Sequence, residues 1–157
     1  MKILIKLSLI FFVSAFLAAC GGVSSPSLDI DNDFWFGSAG NTTIGLGFSQ
    51  TGSSISAGLA YIDSSGRARA CCTLRGNLKG LNLVISDTNA SGDTLTISGR
   101  FNSAGSRLTG TISAVVNGSR TNGDVDLRYE SELSNQRPET LSSSGSITIA
   151  ELADLLR

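Results

Sequence analysis

Two adjacent cysteines, Cys71 and Cys72, are the side chains in this sequence with the clearest capacity for chemistry. They could form a vicinal disulfide, although neighbouring Cα atoms lie about 3.8 Å apart and ordinary disulfides need at least about 4.4 Å. If both lie on one extended strand, they instead point to opposite faces. Cys72 then packs inside as a small hydrophobe, and Cys71 lies outside beside Arg69, which lowers its pKa and makes it reactive. A disulfide to another chain is the third alternative.

The residues that would make these thiols part of an enzyme are missing from the sequence. The chain has no histidine, which excludes Ser-His-Asp and Cys-His hydrolases and every His-ligated metal site. It has no Cys-x-x-Cys motif, and nothing beside the acidic pair Asp124 and Asp126 is typical of a glycosidase. We therefore expect a protein without enzymatic activity, without a cofactor and without a metal site.

Four further residues are candidates for contact with a partner. Arg67, Arg69 and Arg75 share the outward parity of Cys71 on the expected strand, where they form either a partner or anion contact or a charged face in solvent. Trp35, the only tryptophan, lies between two phenylalanines. It either plugs one end of the core or forms an exposed aromatic contact. The sequence leaves both pairs of alternatives open.

The N-terminal segment has the pattern of an export signal. Lys2 and Lys6 give it a positive start, and residues 7–19 form an apolar run that is too short to span a bilayer as a helix. The run ends in Leu17-Ala18-Ala19-Cys20, which resembles the lipobox of bacterial lipoproteins. The resemblance implies cleavage before Cys20, a diacylglyceryl thioether on its sulfur and an acyl chain such as palmitate on the new N-terminus. The alternative is an ordinary secretory signal that leaves Cys20 free.

The residues after the anchor indicate location and domain organisation. Gly21 stands where aspartate favours inner-membrane retention in enterobacteria, so the resemblance implies a lipid anchor in the outer membrane, facing the periplasm or the cell surface. We expect a signal peptide over 1–19, a lipidated cysteine and flexible tether over 20–33, and a single domain over 34–157. After residue 19 the chain has ten Lys and Arg against thirteen Asp and Glu, a balance that provides no electrostatic footprint for nucleic acid.

Apolar and polar residues alternate through most of the expected domain, a pattern typical of half-buried strands with one polar face. Strand centres fall near residues 46, 58, 71, 83, 98, 111 and 127, with Phe34–Phe36 as a further first strand. Small and polar turn residues separate the apolar runs; they are Thr51-Gly52, Asp63-Ser64-Ser65-Gly66, Gly76-Asn77, Ser91-Gly92, Ala104-Gly105 and Asn122-Gly123.

These elements predict an all-β fold. Short connections favour an antiparallel up-and-down β-barrel of about eight strands, because closure removes exposed strand edges, and a β-sandwich is the alternative. Thr148 and Glu151 have capping-box spacing. They precede three leucines spaced for one helix face, Leu152, Leu155 and Leu156. We therefore predict a short C-terminal helix that packs on the barrel.

Short apolar-x-Gly units end or bend several of the predicted strands: Leu78-Lys79-Gly80, Ile97-Ser98-Gly99 and Leu108-Thr109-Gly110. With Trp35-Phe36-Gly37 ahead of them, residues 34–130 resemble the small calycin- or lipocalin-like barrels of bacterial lipoproteins. They also resemble the barrel lobes of transferrin-binding-protein-B-type surface lipoproteins. Gly37 follows Trp35 rather than preceding it, so the lipocalin Gly-x-Trp motif is not matched and no binding residue is carried over.

The anchor, the flexible tether and the lack of catalytic residues favour a non-enzymatic binding or structural module that engages a protein partner. The alternative is a lipocalin-like carrier of a small apolar ligand, since an eight-stranded barrel is just wide enough to be filled by side chains or to hold one such ligand. The residues predicted to point inward carry no charge that would orient a polar ligand.

Overall fold

The computed structural model describes residues 28–131 and 146–157. Its strands follow one another around a closed barrel, each antiparallel to its neighbours, and β1 pairs with β8 to complete the ring. The predicted up-and-down barrel is therefore confirmed, and the sandwich alternative is wrong. The elements are β1 Phe34–Ala39, β2 Thr42–Thr51, β3 Ser54–Ile62, β4 Ala68–Lys79, β5 Asn82–Thr88, β6 Thr94–Phe101, β7 Arg107–Val116, β8 Ser119–Tyr129 and α1 Ile149–Leu155.

Alternation along the strands separates an apolar inside from a polar outside. On β2, for example, Ile44, Leu46 and Phe48 are all buried. Inward residues from all eight strands join in one continuous core. The outward positions between them are mostly Thr, Ser, Asn and charged residues, as the period of two requires for a sheet closed around its own core.

Glycines set the spacing where neighbouring strands approach closely. Gly99 and Gly110 face each other across β6 and β7. A Cβ on Gly110 would collide with the carbonyl oxygen of Ser98, and a Cβ on Gly99 would lie 2.8 Å from Cδ1 of Leu108. A larger residue at either position would force the strands apart.

Two turns that the sequence predicted at glycines lie inside strands instead. Gly76-Asn77 belongs to β4 and Asn122-Gly123 belongs to β8. At Gly76 a Cβ would collide with the carbonyl oxygen of Val84 on β5. Glycine there serves close strand pairing, which turn statistics cannot distinguish from a turn.

β4 departs from simple alternation at its two cysteines. Leu59 of β3 pairs with Cys72, whereas Ala60 pairs with Ala70. Cys71 is therefore an extra residue without a partner on β3, which makes this site a β-bulge.

The bulge corrects the side-chain directions expected for the start of β4. Strict alternation places Ala68, Ala70, Cys72 and Leu74 together inside the barrel. Leu74 is buried, but Ala70 is exposed. Because of the inserted residue, the side chains before it on β4 point to the opposite face from the one that strict alternation predicts. A search for period-two alternation cannot detect such an insertion.

One end of the barrel, which we call the aromatic end, is closed by Trp35, Phe48, Phe101 and Ile30. The Trp35 ring centroid lies 4.9 Å from that of Phe101 and 6.5 Å from that of Phe48, both in edge-to-face geometry. Ile30 is buried in the same core. Its N–H donates to Oε1 of Gln50, at the end of β2, at 3.0 Å.

The segment before β1 is bound to the barrel rather than free. The Gln50 side chain donates to the Leu28 carbonyl at 3.1 Å, and the Gln50 N–H donates to Oδ1 of Asp31 at 2.8 Å. The last part of the predicted tether, residues 28–33, therefore packs on β2. The rest of the tether and the signal segment lie outside the described residues.

The opposite end, which we call the helix end, is covered by the C-terminal segment. The Thr148 hydroxyl accepts the Glu151 N–H at 3.1 Å and the Glu151 carboxylate accepts the Thr148 N–H at 2.7 Å, so the predicted capped helix is confirmed. Asn41, in the β1–β2 turn, donates to the carbonyl of Arg157 at 2.6 Å. The side chains that α1 and its flanking residues bury are Ile147, Ile149, Leu152, Ala153 and Leu156. The third leucine of the predicted face, Leu155, is exposed.

Candidate functional site

Within the part of the chain that the structure describes, the barrel interior is packed with side chains. A space large enough for a ligand would leave accessible surface on the residues around it, yet inward residues from seven strands keep at most 2% of theirs. These residues are Leu46, Leu59, Leu74, Leu83, Leu95, Ile97, Leu108 and Leu127. With both ends covered as well, the interior offers no room for a small ligand.

The outer face of β6, β7 and β8 carries a groove of about 420 Å³, which we call the hydroxyl groove. Strand register produces it: Thr96 on β6 lies opposite Ser113 on β7, and Ser98 lies opposite Thr111. Because every second residue of a strand points outward, these hydroxyls form a regular array. The hydroxyl-bearing side chains that line the groove are Thr94, Thr96, Ser98, Thr111 and Ser113.

Ser113 lies at the centre of this array, between Thr96 on one side and Asn122 of β8 on the other. Its Oγ has almost no accessible surface and finds no hydrogen-bond partner among the described residues. Leaving a buried hydroxyl unpaired costs about 1–3 kcal/mol. Because this oxygen is nearly inaccessible, a polar group in the groove can bond it only if the side chains around Ser113 move aside.

The groove also has one positive and one apolar border. Val115 pairs with Thr94 on one side and with Arg120 on the other. Arg120 is exposed and forms no ion pair within the described residues. Asn122 adds an amide that both donates and accepts. The lining offers hydroxyls, one amide and one guanidinium, all of which can form hydrogen bonds with a bound group.

Sequence reasoning missed the hydroxyl groove. The alternating Thr and Ser residues of β6 and β7 are visible in the sequence, but ordinary solvent-facing strands show the same pattern. What makes a site of them is the register that sets the strands side by side and buries the Ser113 hydroxyl. Neither follows from composition or spacing.

Cys71 and Cys72 lie together at the bulge, both as free thiols. Both are half-buried and pack against the edge of the core. Cys72 donates a hydrogen bond to Cys71, which lowers the pKa of Cys71, although burial and the nearby Asp87 and Glu151 act against this shift. The same bond and burial raise the pKa of Cys72. The bulge therefore brings the thiols into contact instead of placing them on opposite faces, and Cys72, rather than Arg69, lowers the pKa of Cys71.

Arg67, Arg69 and Arg75 do not form a common stripe. Arg67 lies in the β3–β4 turn, where its N–H donates to Oδ1 of Asp63 at 3.0 Å. Arg69 donates from Nη2 to the carbonyl of Ser146 at 3.1 Å, and Arg75 is exposed beyond the bulge. The extra residue Cys71 lies between Arg69 and Arg75, so strict alternation does not hold from one arginine to the other.

Two candidate residues remain. Trp35 is fully buried at the aromatic end, the core position that was one of its two alternatives, and its ring presents no surface to a partner. Cys20 lies outside the described residues, together with the lipobox and the rest of residues 1–27.

Comparison with protein-family models, with curated protein sequences and with solved structures finds no match for this chain. Among the described residues, no helix has the length and apolar character needed to cross a membrane. In the same ranges, no three His, Cys, Asp or Glu side chains gather as metal ligands. The candidate site is therefore interpreted from its own geometry.

Proposed function

We propose that this chain is a lipid-anchored lipoprotein of the bacterial cell envelope, in which a non-enzymatic barrel binds a protein partner on its outer face. The packed interior is the observation on which the binding role rests, because a barrel without internal space has only its outside to offer. The lipobox ending in Cys20 supports the anchor, and Gly21 supports placement in the outer membrane.

The hydroxyl groove is the surface that best suits such a partner. An extended segment of another protein could exchange hydrogen bonds with the accessible hydroxyls of the groove, such as that of the exposed Thr111. An acidic side chain of that segment would meet Arg120, and an apolar one would meet Val115. The groove would thus provide both polar and apolar contacts to a protein partner, over a small interface.

Transport of a small apolar ligand is the alternative that the lipocalin-like resemblance supports. It requires internal volume, and the inward side chains of the described barrel leave none. No separate observation favours this role, so we rank it below binding on the outer face.

The anchor is tested by labelling cells with radioactive palmitate. We expect the wild-type protein to carry label and to fractionate with the outer membrane, and Cys20→Ser to lose both properties. Cys71→Ser is the matched control and should keep them, since only Cys20 is the cysteine of the lipobox. Label that persists in Cys20→Ser would contradict the proposal.

The partner surface is tested with a photo-crosslinking amino acid in living cells. We would place it at Thr111, inside the groove, and at Thr73, an exposed position of β4 outside it. A covalent adduct with another protein is expected from position 111 and not from position 73. Absence of adducts at 111, or equal adducts at both positions, would argue against the groove as the interface.

A further inference from the structure

The β4 bulge is also the place where the C-terminal segment is attached to the barrel. The N–H of Ile147 donates to the carbonyl of Ala70 at 2.9 Å, and Ser146 bridges to Ala70 in parallel fashion. Arg69 donates to the carbonyl of Ser146 at 3.1 Å. Arg69 and Ala70, the two residues immediately before the extra residue Cys71, therefore hold this segment in place.

The attached segment matters for the whole molecule because it leads directly into α1. Ile147 is buried, and the helix that follows packs Ile149 and Leu152 over the helix end. We call residues 146–157 the C-terminal clasp. A conformational change at the bulge would therefore alter the contacts that hold the C-terminal clasp over the helix end of the barrel.

We propose that Cys71 and Cys72 form a redox-active dithiol, and that its oxidation to a vicinal disulfide loosens the C-terminal clasp from β4. Cys71 and Cys72 are adjacent free thiols at the bulge, so oxidation needs no distant partner. Neighbouring Cα atoms lie about 3.8 Å apart, closer than the roughly 4.4 Å minimum of ordinary disulfides, so the backbone at 71–72 must twist to close the ring.

That twist reaches the clasp through one carbonyl group. The Ala70 carbonyl belongs to the peptide unit that ends at the Cys71 nitrogen, so rotation about the Cys71 backbone turns it away from the Ile147 N–H that it now accepts. The Ala60–Ala70 pair on the other side of the strand holds the rest of β4 in register. The clasp is therefore the contact that gives way first.

The oxidant is a disulfide, and the reaction is thiol–disulfide exchange. The Cys71 thiolate attacks one sulfur of the oxidant, forming a mixed disulfide and releasing one thiolate. Cys72 then loses its proton, attacks the Cys71 sulfur and releases the second thiolate. Two thiols of the protein are oxidised by two electrons, and one disulfide is reduced to two thiols.

The local environment assigns these two roles. The hydrogen bond from Cys72 stabilises the thiolate of Cys71, so its pKa is lowered, and this makes Cys71 the attacking group. The pKa of Cys72 is raised chiefly by that bond, by burial and by the charge of Cys71. Once Cys71 is bound in a mixed disulfide, the bond and the charge no longer hold the proton on Cys72.

The test uses the full chain with glutathione disulfide as the probe oxidant. Intact mass after alkylation of the remaining thiols should show loss of two hydrogens in one chain, with no glutathione retained. Amide hydrogen exchange in peptides from 146–157 should then become roughly tenfold faster, the factor expected when a backbone hydrogen bond is lost. Peptides from β6 and β7 should exchange unchanged.

Single variants separate the roles and serve as controls. Cys72→Ser should stop at the mixed disulfide on Cys71 and leave the clasp protected, and Cys71→Ser should react more slowly with the probe. Unchanged exchange of the β6–β7 peptides shows that each variant is folded. Thiols that do not react, or that keep glutathione in the wild type, would overturn the dithiol. A vicinal disulfide with unchanged exchange in 146–157 would overturn its coupling to the clasp.

Discussion

Trp35 combines the largest of the fully buried side chains with an indole N–H that has no hydrogen-bond partner among the described residues. Two effects therefore oppose each other at this residue. Its ring fills the aromatic end through contact with Phe48 and Phe101, which stabilises the fold. Its unpaired donor costs about 1–3 kcal/mol.

Substitutions of Trp35 can separate these two effects. We expect Trp35→Ala to lower the free energy of unfolding by about 3–5 kcal/mol, because it opens a cavity. Trp35→Phe should cost clearly less, since it keeps a ring against Phe101 and removes the unpaired donor. Urea denaturation of the variants measures the difference. Equal losses would contradict this account, because the ring that Trp35→Phe keeps against Phe101 would then contribute nothing to stability.

Asp33 has a pKa raised above its ordinary 3.8, by burial first and then by repulsion from Asp29 and Asp31, while a hydrogen bond with Tyr129 acts against the shift. The folded state therefore favours the protonated form. Its contribution to stability is fully present below pH 3.8 and is lost as the pH rises through the raised pKa. Asp33→Asn should equal the wild type in strong acid and gain a little stability on it as the pH rises towards neutrality. Urea denaturation at several pH values would detect this.

Asp126 should show the opposite sign and is the matched control. Its pKa is lowered, chiefly by the hydrogen bond from Arg107, whose Nε donates to Oδ1 at 2.8 Å. The stability it contributes is present above its ordinary pKa of 3.8 and is lost as the pH falls through the lowered value. Asp126→Asn should therefore lose stability at neutral pH but not in strong acid. If both variants change stability in the same direction, one of these two assignments is wrong.

At the scale of the elements, the spacing of β6 and β7 depends on the facing pair Gly99 and Gly110. A Cβ on Gly110 would collide with the backbone of β6 at Ser98, and backbone moves less readily than a side chain. We expect Gly110→Ala to cost about 1–3 kcal/mol by overpacking. Thr109→Ala, at the neighbouring exposed position, should stay within about 0.5 kcal/mol. Thermal unfolding of the two variants checks the contrast.

The elements also show what the sequence could and could not predict. The alternation of apolar and polar residues was sufficient to predict strands such as β2 and β6, because the buried apolar side chains there recur with a period of two. The pattern failed at Cys71, because one inserted residue changes no composition and yet shifts the parity of Ala70 and Arg69. The hydroxyl groove was missed for a related reason: its site is created by register and by the burial of Ser113, which depend on neighbouring strands rather than on one run of sequence.

At the scale of the whole molecule, each end of the barrel is covered by chain from outside the strands. Ile30 reaches the aromatic end from before β1, and Leu152 of α1 lies at the helix end. Residues near the two chain termini thus complete a core that the eight strands alone would leave open. Both ends of the barrel are therefore closed by segments that lie outside the eight strands.

The packed interior leads to a prediction that separates the two candidate functions. We expect native mass spectrometry of the full chain with added palmitic acid to show only the bare protein, and benzene to leave its melting temperature unchanged.

Leu127→Ala, which truncates a fully buried inward residue, should lose about 2–5 kcal/mol and leave a cavity. Because dry apolar cavities of that kind bind benzene, benzene should raise the melting temperature of the variant. Uptake of one palmitic acid per wild-type chain would mean that the interior opens to a ligand, and the carrier role would then replace binding on the outer face.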